Sequence, residues 1–195
     1  MDRGRIIKAT ILISLMVALI IGYYCYLSYR NSHINSQAAA EEVALEMTDT
    51  QELLARAKYK EYPTTPAQVV KYYNEITTCF YNDEHTDEEL RALADLSRSL
   101  YDSELVAHQS MDDYMEKLKL DIEVFAAGNI RVYDSTVTPA TDVEFFSHNG
   151  YECAKLNSTY TLKSGTNYET TVEVYILRKD EDGHWKIFGF ALAEK

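Results

Sequence analysis

From Ala9 to Leu27 the chain carries no charged side chain, and its apolar character runs on to Tyr29. A helix rises ~1.5 Å per residue, so a run of this length spans about 30 Å, the thickness of a bilayer's hydrocarbon core. A helix buried in a soluble core would show a polar stripe, and this run shows none. A cleavable leader is the competing reading, because Ser36-Gln37-Ala38 and Ala38-Ala39-Ala40 resemble small-residue cleavage sites. Leader cores are only ~7–15 residues long and are cut soon afterwards. Here the run is longer, and the candidate cut lies well past Arg30. The expectation is a retained transmembrane helix over 9–29 in contact with the lipid bilayer.

Orientation follows from charge. Arg3, Arg5 and Lys8 precede the run, while Tyr23, Tyr24, Tyr26 and Tyr29 crowd its far end, where amphipathic rings prefer the interface. A cytoplasmic tail (1–8) and an extracytoplasmic remainder are expected, in a single-pass protein of the cell membrane. Residues 1–30 carry a net +3, so residues 31–195 carry −15 of the chain's −12. A domain that negative repels phosphate backbones, and no basic stripe interleaved with aromatics is present, so nucleic acid is excluded as a partner. The three cysteines, Cys25, Cys79 and Cys153, include no CxxC and are too few for a disulfide scaffold. Cys25 lies in the apolar run behind two tyrosines that spoil a lipid-attachment motif. Cys79 and Cys153 are expected to be free thiols.

Residues 30–61 read as a partly helical stalk, helix-prone over 38–47 and 51–60 but with a thin apolar pattern. The globular domain is expected over 62–195. Thr65-Pro66-Ala67-Gln68 combines a capping box with proline at the first helical position, and Val69, Tyr72, Tyr73, Ile76 and Phe80 follow at helical spacing. Thr86-Asp87-Glu88-Glu89 opens a second helix with Leu90, Leu93, Leu96 and Leu100 on one face. Ser110-Met111-Asp112-Asp113 opens a third, with Tyr114, Leu118, Ile122 and Phe125, and Gly128 as its stop. Residues 102–108 read as a further helical turn. After Gly128 the period becomes two: 130–137, 151–163, 168–179 and 184–192 read as strands joined by hairpins at Ser164-Gly165-Thr166 and Asp180-Glu181-Asp182-Gly183. The predicted fold class is α+β, with three helices packed on a bent antiparallel sheet.

The ending, from Leu177 through Asp180-Glu181-Asp182-Gly183-His184-Trp185-Lys186-Ile187, resembles the close of the nuclear-transport-factor-two-like cone fold. Three motifs together, Tyr62-Pro63-Thr64-Thr65-Pro66, Tyr101-Asp102-Ser103-Glu104-Leu105 and Arg178 to Ile187, resemble an uncharacterised family of clostridial membrane-anchored proteins. The resemblance covers residues from about 50 onward. It implies a cone fold and a bacterial envelope setting, and it carries over no catalytic residues. The order of anchor, stalk and cone resembles the inner-membrane assembly subunits of type IV secretion systems, an analogy of architecture alone.

Candidate chemistry is sparse. Asp180, Asp182 and Gly183 suggest a calcium loop, but aligned on that glycine the first ligand position is Arg178 and the bidentate position Gly189, so a hairpin turn is the better reading. None of the five histidines has ligand-spaced partners, and no Gly-x-Ser-x-Gly context exists. No metal site and no cofactor are expected, and the chain is not expected to be an enzyme. If Val172, Val174 and Ile176 face the helices together with Trp185 and Ile187, then Tyr175, Leu177, Phe188, Phe190 and Leu192 form an outward apolar surface. That surface would suit a homodimer or an envelope protein partner. The alternative puts Glu169, Glu173 and Tyr175 in a pocket, as a base and a phenol donor of an isomerase or dehydratase type. A one-residue change of register exchanges the two faces.

Overall fold

A computed structural model describes residues 47–193. The expected tail (1–8), transmembrane helix (9–29) and first part of the stalk (30–46) lie outside the described residues. Among the described residues no helix is long and apolar enough to cross a membrane.

Local signals account for the helix starts. Helix α1 (Asp49–Ala57), α2 (Pro66–Asn82) and α3 (Asp87–Ser99) each open on a complete capping box: Thr48 with Gln51, Thr65 with Gln68, Thr86 with Glu89. A short α4 (Ser103–Ala107) is capped by Asp102, and α5 (Met111–Ala127) by Ser110. Helix α5 stops where Gly128 foretells, yet Gly128 keeps a right-handed conformation and the left-handed residue is Asn129 (φ 47°).

Helix α1 corrects the expected boundary at Tyr62. The folded unit begins at Thr48. Leu53 is buried in the core cluster, and the Thr50 amide and hydroxyl both donate to the Asp83 carboxylate, at 2.8 and 2.7 Å. His85 reaches the Cys79 carbonyl (2.9 Å) at the end of α2 and lies beside the Thr50 hydroxyl. One apolar side chain and one capping threonine were too thin a pattern to read, but they suffice when a ready surface receives them. Leu53→Ala is therefore expected to lower stability by about 2–4 kcal/mol in urea denaturation. A solvated stalk would leave stability unchanged.

The sheet is antiparallel and has five strands: β1 (Ile130–Val137), β2 (Glu144–His148), β3 (Tyr151–Ser164), β4 (Asn167–Lys179) and β5 (Trp185–Leu192). Its order is β1-β3-β4-β5, and β2 lies end to end with β1 along the same edge of β3. The sequence reading lacked β2. Its hairpin to β3 closes through Asn149 (φ 51°) and Gly150 (φ 84°), the left-handed pair that a two-residue type I′ turn needs. The far edge of β5 is occupied. Ile187 N donates to the Leu100 carbonyl and Asp102 N to the Ile187 carbonyl, both at 2.8 Å, so residues 100–102 add a single parallel bridge there. Helices cover one face of the sheet. Val69, Val70, Ile76 and Phe80 of α2 and Leu93 of α3 meet Ala154, Leu156, Tyr175, Leu177, Trp185 and Ile187 in one core cluster.

Candidate functional site

The β4–β5 ladder decides which side chains meet the helices. Lys179 pairs with Trp185 and Leu177 with Ile187; then a bulge intervenes, and Ile176 pairs with Gly189, Tyr175 with Phe190 and Glu173 with Leu192. The extra residue on β5 is Phe188. Glu173, Tyr175 and Leu177 therefore share the helix-facing side with Trp185, Ile187 and Phe190. Val172, Val174 and Ile176 take the other. This overturns the expected outward surface of Tyr175, Leu177, Phe188, Phe190 and Leu192. Tyr175 and Leu177 are 0% exposed. Phe188 alone sits across the sheet, over the Arg178 guanidinium at 4.7 Å. Phe190 and Leu192 are exposed but lie on the helix side. The physical reasons are two: Tyr73 of α2 and Tyr160 of β3 receive Tyr175 on the helix side, and the bulge exchanges the parity of β5 part-way along, carrying Phe190 and Leu192 onto that side.

Two of the three pocket candidates come together. The Tyr175 hydroxyl donates to Glu173 Oε2 at 2.5 Å, and Glu173 is half-buried. Glu169, on the same side of β4, is exposed at the far end and does not join them. Behind Glu173 runs a chain of polar groups. Tyr175 and Tyr160 hydroxyls are 3.2 Å apart, Tyr160 donates to Asn74 Oδ1 at 2.7 Å, and Asn74 Nδ2 donates to Ser158 Oγ at 2.8 Å. Asn74, Ser158 and Tyr160 are all buried. Asn74 went unremarked in the sequence, although a polar residue one step from Tyr73 on a core-facing stripe is a visible signal.

Aromatic rings pack beside this chain of polar groups. Tyr175 stacks on Phe190 (5.4 Å between centroids), and Tyr73 lies 5.8–5.9 Å from Tyr101, Tyr175 and Phe190. The Tyr73 and Tyr101 hydroxyls are 2.9 Å apart, and Tyr114 meets Ser97 at 3.2 Å. Burial holds the Tyr175 and Tyr73 phenols well above their ordinary range, and it pushes Tyr160 up to about 12. These hydroxyls stay protonated at any physiological pH, so they donate hydrogen bonds and do not act as bases. Thr77 Oγ1 is the one buried side-chain oxygen without a hydrogen bond among the described residues. The polar interior is otherwise satisfied by its own groups.

A second cluster gathers the three quoted motifs. Arg178 grips Asp102 through two bonds, Nε to Oδ2 (2.9 Å) and Nη2 to Oδ1 (2.6 Å), and reaches Glu104 through Nη1 (2.9 Å). Its guanidinium lies between the rings of Tyr151 (4.3 Å) and Phe188. Tyr62 donates to the Trp185 carbonyl (2.8 Å) and packs on the His184 ring. The fork of hydrogen bonds it donates to Asp102 and Glu104 holds Arg178 firmly charged. The cluster ties the α3–α4 connection to the edge of the sheet.

In the closing hairpin, ligand atoms of Asp180, Asp182 and His184 lie within 4.8 Å of one another. Asp180 Oδ1 already accepts from the His184 amide (2.8 Å), the bond that holds the turn. Cys79 and Cys153 are buried free thiols, and burial pushes the Cys79 thiol up to about 11.

No curated protein matches the chain. A family model described as a domain of unknown function (DUF6715) matches residues 1–190. The chain belongs to that family.

Proposed function

We propose that this family member is a single-pass, membrane-anchored binding or scaffold module of a bacterial envelope, with its α+β domain of the nuclear-transport-factor-two-like cone type outside the membrane. Residues 9–29 are the anchor and the bilayer its first partner; a homodimer or an envelope protein is the second. The observation that carries the non-catalytic reading is the satisfied interior: among the described residues every buried side-chain nitrogen and oxygen but Thr77 Oγ1 has a hydrogen-bond partner. Tyr160 donates to Asn74, Asn74 to Ser158, Ser158 to the Thr136 carbonyl and Tyr175 to Glu173, and the rings of Tyr73, Tyr175 and Phe190 pack against one another beside them. General acid–base work needs a proton carrier beside room for a substrate. The cone assignment draws on a sheet with helices laid across one face and on the ending from Leu177 to Ile187.

One observation favours the alternative, a pocket enzyme or small-molecule binder: Glu173 is half-buried and receives the Tyr175 proton donor at its rim. That geometry resembles a base beside a phenol.

Topology is the part most directly tested. Protease added to intact spheroplasts carrying the chain is expected to remove the domain beyond residue 30 and spare the N-terminal tail. Full protection of the domain until the membrane is opened would overturn the anchored, extracytoplasmic reading.

A further inference from the structure

Strand β2 is a sheet edge without the usual guards. It is short and in unbroken register, with no lysine, no proline and no bulge over Glu144-Phe145-Phe146-Ser147-His148, and every residue of it is exposed. Phe145 is 60% exposed and Phe146 37%. Lysine, proline and bulges are among the devices that blunt natural edges, and β2 keeps only its shortness and the charge of Glu144. The collinear β1 has one, a bulge at Tyr133 between Val132 and Asp134. Among the described residues nothing pairs with the outer side of β2.

The ladder tells which of its backbone groups point outward. Thr138 N donates to the Asn157 carbonyl, and Asn157 N to the Thr138 hydroxyl, so Asn157 turns its backbone toward the β1–β2 side. Strand β3 is unbroken from Cys153 to Ser164, and β2 pairs with it residue for residue. By alternation Lys155, Cys153 and Tyr151 also bond toward β2, and they engage Glu144, Phe146 and His148. The amides and carbonyls of Phe145 and Ser147 are left facing outward.

We propose that this edge pairs antiparallel with the same strand of a second copy, two-fold about Phe146. In that register Phe145 lies opposite Ser147 of the other copy, and each such pair exchanges two backbone hydrogen bonds. Phe146 meets Phe146 at the axis, in a position without hydrogen bonds where side chains approach closely. Glu144 lies opposite His148, carboxylate against imidazole, so no like charges face each other despite the strongly acidic domain. Any other register either turns the free amides away from their acceptors or brings Glu144 off its partner. The same pattern thus selects both the occupant and the alignment. The result is a continuous sheet running through two copies, with both exposed phenylalanines of each copy drawn against the other. It needs neither the anchor nor the cone assignment, although a shared membrane would raise the local concentration.

The test is cross-linking of the full-length chain. Phe146→Cys is introduced together with Cys25→Ser and Cys153→Ala, because Cys153 is the cross-strand neighbour of position 146 and would capture the new thiol. Opposed Cα atoms at such a position are about 4.5 Å apart, inside the range a disulfide spans. Mild oxidation is expected to double the mass on a non-reducing gel. Tyr168→Cys in the same background, more exposed (54% against 37%) but on β4, should stay monomeric. Adding Ser147→Pro removes only an outward amide, which an edge strand tolerates. It is expected to cut the cross-linked fraction by about tenfold, since two symmetric hydrogen bonds are lost, with circular dichroism unchanged. If the proline variant misfolds, Phe146→Cys with Phe145→Lys serves in its place, read in the same way. No cross-link at position 146, an equal one at position 168, or a cross-link indifferent to both second changes would each overturn the proposal.

Discussion

Replacing Arg178 with methionine is expected to cost about 3–5 kcal/mol of folding stability, because it strands a buried carboxylate. The Arg178 side chain is 12% exposed and Asp102 5%, so water cannot take over the lost contacts. Asp102 is committed three ways: to Arg178 through both oxygens, to the Glu104 amide as the cap of α4, and through its own amide to Ile187. Removing the guanidinium leaves that carboxylate without a countercharge in a site built around one. The paired change Arg178→Met with Asp102→Asn should recover a large part of the loss, since an amide keeps the cap without the charge. Glu104→Gln, on the exposed arm of the same cluster, should cost below about 1 kcal/mol. Urea denaturation of the four proteins measures all of this. An Arg178→Met loss no larger than that of Glu104→Gln would mean the clamp adds no stability.

Tyr175→Ala is expected to cost about 3–5 kcal/mol, whereas Val174→Ala one position earlier should cost only about 1 kcal/mol. Tyr175 is fully buried, stacked on Phe190 and tied to Tyr160 and Glu173. Truncation opens a void the size of a phenol, leaves Glu173 without its donor and takes the neighbouring hydroxyl from Tyr160. Val174 lies on the opposite face and is half-exposed. The pair reads the register of β4 directly. With the faces exchanged, the two costs would exchange as well, and Tyr175→Ala would fall within the small range of a surface change.

The helix starts at Thr65, Thr86 and Ser110 and the strand over Ile130–Val137 were legible because each depends on neighbours a few residues away. A capping threonine needs only the residue three places on, and a helical stripe needs only its own spacing. Strand β2 left a weaker trace. Glu144 to His148 does not alternate, and only the following Asn149-Gly150 pair, a strong hairpin signal, announces it. The cap at Thr48 was equally plain in form but opened a helix with a single buried leucine, which reads as a stalk until Asp83 and His85 are brought beside it.

The faces of β4 were beyond reach for a different reason. Val172, Val174 and Ile176 make one apolar row and Tyr175 and Leu177 another, so composition does not choose between them. The choice rests on the other elements: Tyr73 of α2 presents a ring that meets Tyr175, and Tyr160 of β3, held by Asn74, brings its hydroxyl to that of Tyr175. The bulge at Phe188 then carries Phe190 onto that row, a displacement no two-residue period contains. The candidate site inherits the same dependence. Glu173 and Tyr175 lie two residues apart in sequence, but Tyr160 reaches Tyr175 across 15 positions of chain and Asn74 reaches Tyr160 across 86. Sequence by itself determined what local sterics and short-range hydrogen bonds decide: where helices begin, where strands run and how hairpins turn. Tertiary structure alone decided which row of β4 is inside, that Thr48 starts the folded unit, and that the Tyr62 and Asp102 motifs both meet the segment from Arg178 to Ile187. Those outcomes are settled by burial and charge pairing between segments distant in the chain, where the energy belongs to the contact and not to either segment.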